Sequence, residues 1–236
     1  MKEKEDEKRC LKVKRPLIIN FKNYLEVSSH DTIRLAKVAE QIADTLQIEI
    51  VIAPPQPSLS AVIQNVKLPV MCQHVDDSQV GSTTGFFVPE IANSYGAVGS
   101  LINHSEHRLN NSTIKNIVER LHQLKMLSVV CAQTAQEVEE LADLSPSFIA
   151  IEPPELIGSG KAVSKVNPLI ITDSLQALAK NSTSIKMICG AGITDKSDVI
   201  SALELGADGI LVASSVVKAK NWSEKLLDLA SGFDHI

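Results

Sequence analysis

Eight short runs of apolar and β-branched residues recur along the chain and constrain its fold more than any other feature. They cover residues 17–19, 48–52, 70–72, 98–102, 127–131, 148–151, 185–188 and 209–212. Several are too unbroken to be half-exposed strands, which predicts a parallel sheet covered on both faces. Apolar residues recur at helical spacing between most of the runs, as in Leu35, Ala39 and Ile42. Strand and helix therefore alternate in an α/β fold.

The number of runs distinguishes between two α/β architectures. Dividing the chain after residue 15 into eight units gives about 28 residues per unit, enough for a strand, a helix and two short loops. A doubly wound sheet usually has fewer strands and often a glycine-rich turn after the first, whereas Asn20, Phe21 and Lys22 stand there. We therefore predict a single-domain (β/α)8 barrel over residues 16–236, with its chemistry at the carboxyl ends of the strands.

Composition limits the classes of function. Residues 1–15 contain eleven charged side chains of both signs and no apolar run, so we expect a charged, flexible, solvated tail without a secretory signal. The net charge of −5 argues against a broad nucleic-acid surface, and no stretch is apolar enough to span a membrane. The four cysteines have neither disulfide nor zinc spacing, so we expect reduced thiols in a cytoplasmic protein.

Glu152 is the candidate general base. It directly follows an apolar run, so burial at the barrel mouth would raise the pKa of its carboxyl and make it a better base. The alternative is a helix-capping or ion-paired carboxylate. Residues 153–161 begin with two prolines and end with glycines, which predicts a lid that moves as a unit, although an ordinary long loop is the simpler interpretation.

Other polar residues follow other runs. His104 stands at a strand-to-helix transition, where a helix N-terminus would favour a neutral imidazole that donates a hydrogen bond to a carbonyl oxygen. Asn20 and Lys22 follow the first run. A lone histidine or lysine in such a position is more often structural or solvated, but the joint occurrence of these residues favours a catalytic face. Gly190, Ala191 and Gly192, together with residues 209–215, offer backbone N–H groups to an anion and predict a phosphorylated ligand.

Four motifs together resemble those of the triosephosphate isomerase family in its shorter archaeal form, in the same order and at the same spacing. They are Asn20-Phe-Lys22, Asn103-His-Ser-Glu106, Ile151-Glu-Pro-Pro-Glu-Leu-Ile-Gly-Ser-Gly160 and Cys189-Gly-Ala-Gly-Ile193. The resemblance runs from about Pro16 to the C-terminus and implies a TIM barrel. His-Ser-Glu followed about 45 residues later by Glu-Pro-Pro-Glu-Leu-Ile-Gly is its most specific part.

The resemblance implies an aldose–ketose isomerase of glycolysis and gluconeogenesis that interconverts dihydroxyacetone phosphate and D-glyceraldehyde 3-phosphate through an enediol(ate), with no metal or organic cofactor. Glu152 would move the carbon-bound proton and a neutral His104 would polarise the carbonyl. Lys22 would stabilise the enediolate and Asn20 would orient the substrate. Ser105 and Glu106 would support these residues from behind, with Glu106 paired to Lys22. The phosphate would bind backbone groups at Ile157, Gly158, Gly192, Ala213 and Ser214.

The chain departs from the family's motifs at two positions, and one of its loops bears on self-association. His107 stands where an arginine is expected, which would weaken a local ion pair, and Ser215 replaces a glycine of the phosphate loop. Residues 80–87 form a long loop with two adjacent aromatics, which we expect another surface to bury. In the family this loop projects into the neighbouring subunit, so we expect a homodimer or homotetramer with the loop tip at 82–85. Another phosphate-binding barrel enzyme and a non-catalytic binding barrel remain as alternatives.

Overall fold

The computed structural model describes residues 13–158, 160, 162–181 and 184–235. Most of the predicted N-terminal tail, including Cys10, lies outside these ranges. Within these ranges, seven parallel strands form one sheet in the order β2-β1-β7-β6-β5-β4-β3. They are β1 Leu17–Asn20, β2 Ile50–Ala53, β3 Gly99–Ile102, β4 Leu127–Ala132, β5 Phe148–Ile151, β6 Lys186–Cys189 and β7 Gly209–Val212.

The third apolar run closes the gap between β2 and β3. Val70 forms a parallel bridge with Ile52, and Cys72 forms one with Ser100. Met71 N donates to the carbonyl oxygen of Ile52 over 2.9 Å. Because this run is only three residues long, it makes one bridge to each neighbour and not a continuous ladder. The predicted (β/α)8 barrel is thus confirmed, and two isolated bridges stand in place of its eighth strand.

Ten helices connect these strands in the described part of the chain. They are α1 His30–Leu46, α2 Leu59–Asn65, α3 Pro89–Tyr95, α4 Asn111–Gln123, α5 Ala135–Ala142, α6 Val163–Val166, α7 Pro168–Asn181, α8 Lys196–Glu204, α9 Ser214–Val217 and α10 Trp222–Ala230. Short 3-10 turns occur at Leu25–Val27, Gln56–Ser58, Pro154–Leu156 and Phe233–His235. The apolar stripe of α1, which includes Leu35 and Ala39, is buried as its spacing predicts.

Both faces of the sheet are buried, which explains the unbroken apolar runs. In β1, Ile18 belongs to the cluster inside the barrel, while Leu17 and Ile19 belong to the cluster under the helices. The side-chain period of two along a strand produces this division. Cys72, Cys131 and Cys189 are buried free thiols, as expected.

The last residues of the predicted tail contact the amino-terminal end of the barrel. The backbone N–H groups of Lys14 and Arg15 donate to the Glu49 carboxylate over 2.7 and 2.6 Å. Val13 packs against the interior cluster. Ordered packing against the barrel therefore begins at least three residues before Pro16. No helix in the described ranges has the length and apolar character needed to cross a membrane.

Candidate active site

A cavity of about 370 Å³ opens at the carboxyl ends of the strands. The predicted site residues that line it are Asn20, Lys22, His104, Glu106, Glu152, Ile157, Gly158, Gly192, Ala213 and Ser214. Ser105 is half-buried next to His104 but does not line the cavity. These residues come from loops that follow β1, β3, β5, β6 and β7, and they meet because parallel strands in a barrel end on the same face.

Glu152 is a buried carboxylate with an unpartnered oxygen. Glu152 is only 4% exposed, and its Oε2 atom has no hydrogen-bond partner among the described residues. Burial raises the pKa of Glu152, against the opposing effects of His104, the Cys131 thiol and Lys22. Gly190 leaves the space for this side chain, since a Cβ atom there would lie 2.6 Å from Glu152 Cγ. The carboxylate is therefore weakly solvated and basic, as a proton acceptor needs to be.

The imidazole of His104 lies beside this carboxylate, with 3.8 Å between His104 Nε2 and Glu152 Oε2. On the other side of the ring, the backbone N–H of Glu106 donates to Nδ1 over 3.1 Å. Nδ1 is therefore an acceptor, which assigns the proton of a neutral ring to Nε2, on the Glu152 side.

The backbone next to His104 differs from the prediction. We expected a helix N-terminus at His104, but α4 begins at Asn111, with Asn110 as its N-cap. The donor is a single N–H of the turn after β3, in which His107 N donates to His104 O over 2.8 Å. Asn103, just before the turn, has a φ of 60°. The N–H group that fixes the tautomer of His104 therefore belongs to a local turn and not to a helix.

Lys22 supplies a cation to the same cavity. Its Nζ lies 2.8 Å from Glu106 Oε1, and its backbone N–H donates to Asn20 Oδ1 over 3.0 Å. The backbone of Lys22 has a φ of 51°, a conformation that non-glycine residues rarely adopt. Gln73, which the sequence analysis missed, donates to the carbonyl oxygen of Lys22 over 3.0 Å.

The loops after β5, β6 and β7 form the remaining wall. Ile157 and Gly158 belong to the predicted lid, of which Ser159 and Lys161 lie outside the described residues. Leu156, which precedes them in the same loop, is only 6% exposed and packs into the core. Ala213 and Ser214 stand at the beginning of α9. Residues from three segments therefore line the cavity together with Lys22, His104 and Glu152.

Comparison with known proteins identifies the family. Residues 16–231 match the model of the family described as Triosephosphate isomerase. The triosephosphate isomerase of Cenarchaeum symbiosum is 46% identical over 214 residues, which cover 91% of this chain and 96% of that protein. That of Methanopyrus kandleri is 42% identical over 221 residues, or 93% and 98% of the two chains. The chain belongs to the triosephosphate isomerase family.

The two departures from the triosephosphate isomerase motifs have different surroundings. His107 stacks on His74 with ring centroids 3.8 Å apart, and His74 Nε2 lies 3.3 Å from Asp76 Oδ1. Burial lowers the pKa of His74, and His107 lowers it further. The next residue, Arg108, forms an ion pair with Glu137, so an ion pair persists at this turn. Ser215 lines the cavity next to Ser214.

Two further cavity residues were not expected from the triosephosphate isomerase motifs. Tyr24 follows the Asn-Phe-Lys motif by two positions, and Lys218 directly follows α9. The Lys218 ammonium lies 4.4 Å from the centroid of the Tyr24 ring. Neither residue directly follows an apolar run, so the expectation that functional residues stand at strand ends does not point to them. Within the described ranges, no group of three histidine, cysteine or acidic side chains could hold a metal ion.

Proposed function

We propose that Glu152, His104 and Lys22 interconvert dihydroxyacetone phosphate and D-glyceraldehyde 3-phosphate in this cavity. Membership of the family gives the reaction, and the buried Glu152 carboxylate beside the His104 ring is the observation that carries the assignment of residues. A carboxylate beside a neutral imidazole can move a proton between two carbon atoms while the imidazole serves the two oxygen atoms.

Glu152 removes the carbon-bound proton. The electron pair of the broken C–H bond forms the double bond of the enediol(ate), and the carbonyl π electrons move onto oxygen. The protonated carboxyl then returns its proton to the neighbouring carbon, so the carboxylate is regenerated. The raised pKa of Glu152 supports this role, because a carboxylate that has lost part of its hydration accepts a proton more readily.

His104 donates its Nε2 proton to the oxygen that gains charge and takes a proton from the neighbouring hydroxyl. The hydrogen bond from Glu106 N to Nδ1 supports this assignment, since it leaves the proton on Nε2. Lys22 stabilises the negative charge of the enediolate, and Asn20 orients the substrate. Glu106 and Ser105 support these groups, with Glu106 paired to the Lys22 ammonium at 2.8 Å.

The substrate phosphate binds at the other end of the cavity. Backbone groups at Ile157, Gly158, Gly192, Ala213 and Ser214 would hold it, and the fact that all five residues line the cavity supports this assignment. Gly192 has a φ of 72°, a conformation that residues with a side chain rarely adopt. The lid would close over the phosphate and exclude water from the enediolate.

Assembly as a homodimer, with a homotetramer as the larger form, is part of the proposal. Asp76 N donates to Phe87 O over 2.9 Å and Phe87 N donates to the Asp76 carboxylate over 2.6 Å, which closes the loop at its base. Val80 and Phe86 are each 57% exposed. A second cavity of about 580 Å³, next to Lys22 and His104, would receive residues 82–85 of a second copy.

The compartment and the tail complete the proposal. We assign the enzyme to the cytoplasm, because the three described cysteines are buried free thiols that suit a reducing environment. Residues 1–15 would be a charged tail outside the catalytic barrel, whose last three residues pack against it. The catalytic domain would then extend from residue 16 to residue 236.

A metal-free assay tests this function against its alternatives. Purified chain treated with a chelator should interconvert the two triose phosphates, and substrate recovered from deuterated water should carry deuterium at the exchanged carbon. Another phosphate-binding barrel enzyme or a binding module would give neither product nor exchange, even if inorganic phosphate bound. The variant Lys22→Met should lose both affinity and turnover, because the cation faces a charged substrate and a charged intermediate.

A further inference from the structure

Among the described residues, the charged groups that line the active-site cavity do not balance without Lys218. The acidic ones are Glu106 and Glu152, and the basic ones are Lys22 and Lys218. Lys22 Nζ lies 2.8 Å from Glu106, so these two charges largely neutralise each other. Glu152 must be ionised before it can accept a proton. Without Lys218, the cavity would therefore present a net negative charge to a substrate that is itself a phosphate dianion.

Lys218 is placed to correct this imbalance. It directly follows α9, and its backbone N–H donates to the carbonyl oxygen of Ser214, one of the proposed phosphate-binding residues, over 3.0 Å. Its ammonium lies 4.4 Å from the centroid of the Tyr24 ring. Within the described part of the chain, it forms no ion pair with a carboxylate, so its charge remains available to a ligand.

Tyr24 gives this ammonium a defined position. A lysine side chain on a surface normally samples many rotamers, and the negative face of an aromatic ring attracts its cation without neutralising the charge. Tyr24 belongs to the loop after β1, which also carries Lys22, and Lys218 belongs to the loop after β7. The contact therefore joins the loop after β1 to the segment after β7, which also carries Ala213 and Ser214.

We propose that Lys218 is a substrate-binding residue that supplies positive charge to the phosphate end of the cavity, with Tyr24 positioning its ammonium. The inference rests on the proposed function and adds a side-chain cation to a site otherwise built from backbone groups. This cation faces the phosphate in the substrate and in the enediolate alike. Its loss should weaken binding and leave the chemical step nearly unchanged.

The test compares Lys218→Met with Lys220→Met, an exposed lysine two residues away that does not line the cavity. For Lys218→Met we expect KM and the inhibition constant of inorganic phosphate to rise about tenfold, the loss typical of one charge-assisted contact. kcat should stay within about twofold of wild type. Lys220→Met should leave all three constants unchanged. Equal phosphate inhibition of Lys218→Met and wild type would overturn the proposal.

Two further variants separate charge from structure. Lys218→Arg keeps the cation and should restore phosphate inhibition to within about threefold of wild type, whereas an arginine variant as impaired as the methionine one would contradict a charge role. Tyr24→Leu removes the ring and should raise the phosphate constant severalfold, while Tyr24→Phe should not. Phosphate binding followed by calorimetry needs no turnover, so it tests Lys218 even if the proposed isomerase activity fails.

Discussion

Gln73 holds Lys22 in a strained backbone conformation. Lys22 has a φ of 51°, and Gln73 Nε2 donates to its carbonyl oxygen over 3.0 Å and to that of Ala53 over 3.1 Å. A non-glycine residue in this region costs about 1–3 kcal/mol, so the surrounding structure must maintain it. Gln73, which follows the short third strand position of the barrel, thus links the loop after β1 to the end of β2.

Replacing this amide should disturb Lys22 without removing its charge. We expect Gln73→Leu to lower kcat/KM about tenfold, because the Lys22 carbonyl loses this donor and the ammonium loses its fixed position, while the Ala53 carbonyl still accepts from Phe21 N. Steady-state kinetics with both triose phosphates measures this loss. Gln64→Leu, which changes an exposed glutamine on α2, serves as the control. Wild-type kcat/KM in Gln73→Leu would show that the strained loop holds itself.

The sequence predicted the framework because burial determines it. Each apolar run occupies a strand position of the barrel, because a strand buried on both faces of a sheet is apolar along its whole length. Residues directly after the runs had to converge for a topological reason, so Glu152, His104 and Lys22 could be selected without any distance information. Strand pairing then brought them to one cavity.

The helix caps could not be predicted fully from the sequence, because they depend on the direction in which each polar side chain points. Thr134 and Glu137 have the spacing of a capping box, and Thr134 does cap α5, but the Glu137 carboxylate accepts from Gln133 N over 2.7 Å and pairs with Arg108. Asp31 is of a residue type that often caps a helix, but it lies in the first turn of α1, and Ser29 occupies the N-cap position. The hydrogen-bond partner that a polar side chain takes depends on residues far away in the sequence, so local spacing does not predict it.

The raised pKa of Glu152 predicts the acid side of the pH–rate profile. The base must be ionised, so kcat/KM should fall as the pH falls through the pKa of the free enzyme's carboxyl. Because burial raises that pKa, the midpoint should lie above the value of about 4.3 found for an exposed glutamate. A profile measured with buffers of constant ionic strength gives this midpoint. Full activity down to the ordinary carboxyl range would contradict a buried base.

The exposed loop at residues 80–87 predicts self-association. We expect at least a dimer at micromolar concentration by light scattering, because exposed apolar groups such as Val80 and Phe86 gain free energy from burial in a second copy. Phe86→Asp should shift the mass towards the monomer and lower kcat, since residues 82–85 would no longer support Lys22 and His104 of the partner. The control is Leu227→Asp, a 45% exposed position on α10.

A fully active monomer would contradict this assembly. A stable dimer that does not grow to a tetramer would contradict only the larger form. Activity lost at low protein concentration and regained on concentrating the sample would support the dependence of the site on a second copy.

The most direct test of the assignment is the turnover of Glu152→Gln. The amide keeps the size of the side chain but cannot accept the carbon-bound proton, so kcat should fall by at least about a thousandfold. Inorganic phosphate should still inhibit within about tenfold of wild type, because Ile157, Gly158 and Ser214 are unchanged. A variant that retains a tenth of the wild-type kcat would contradict the claim that Glu152 is the base.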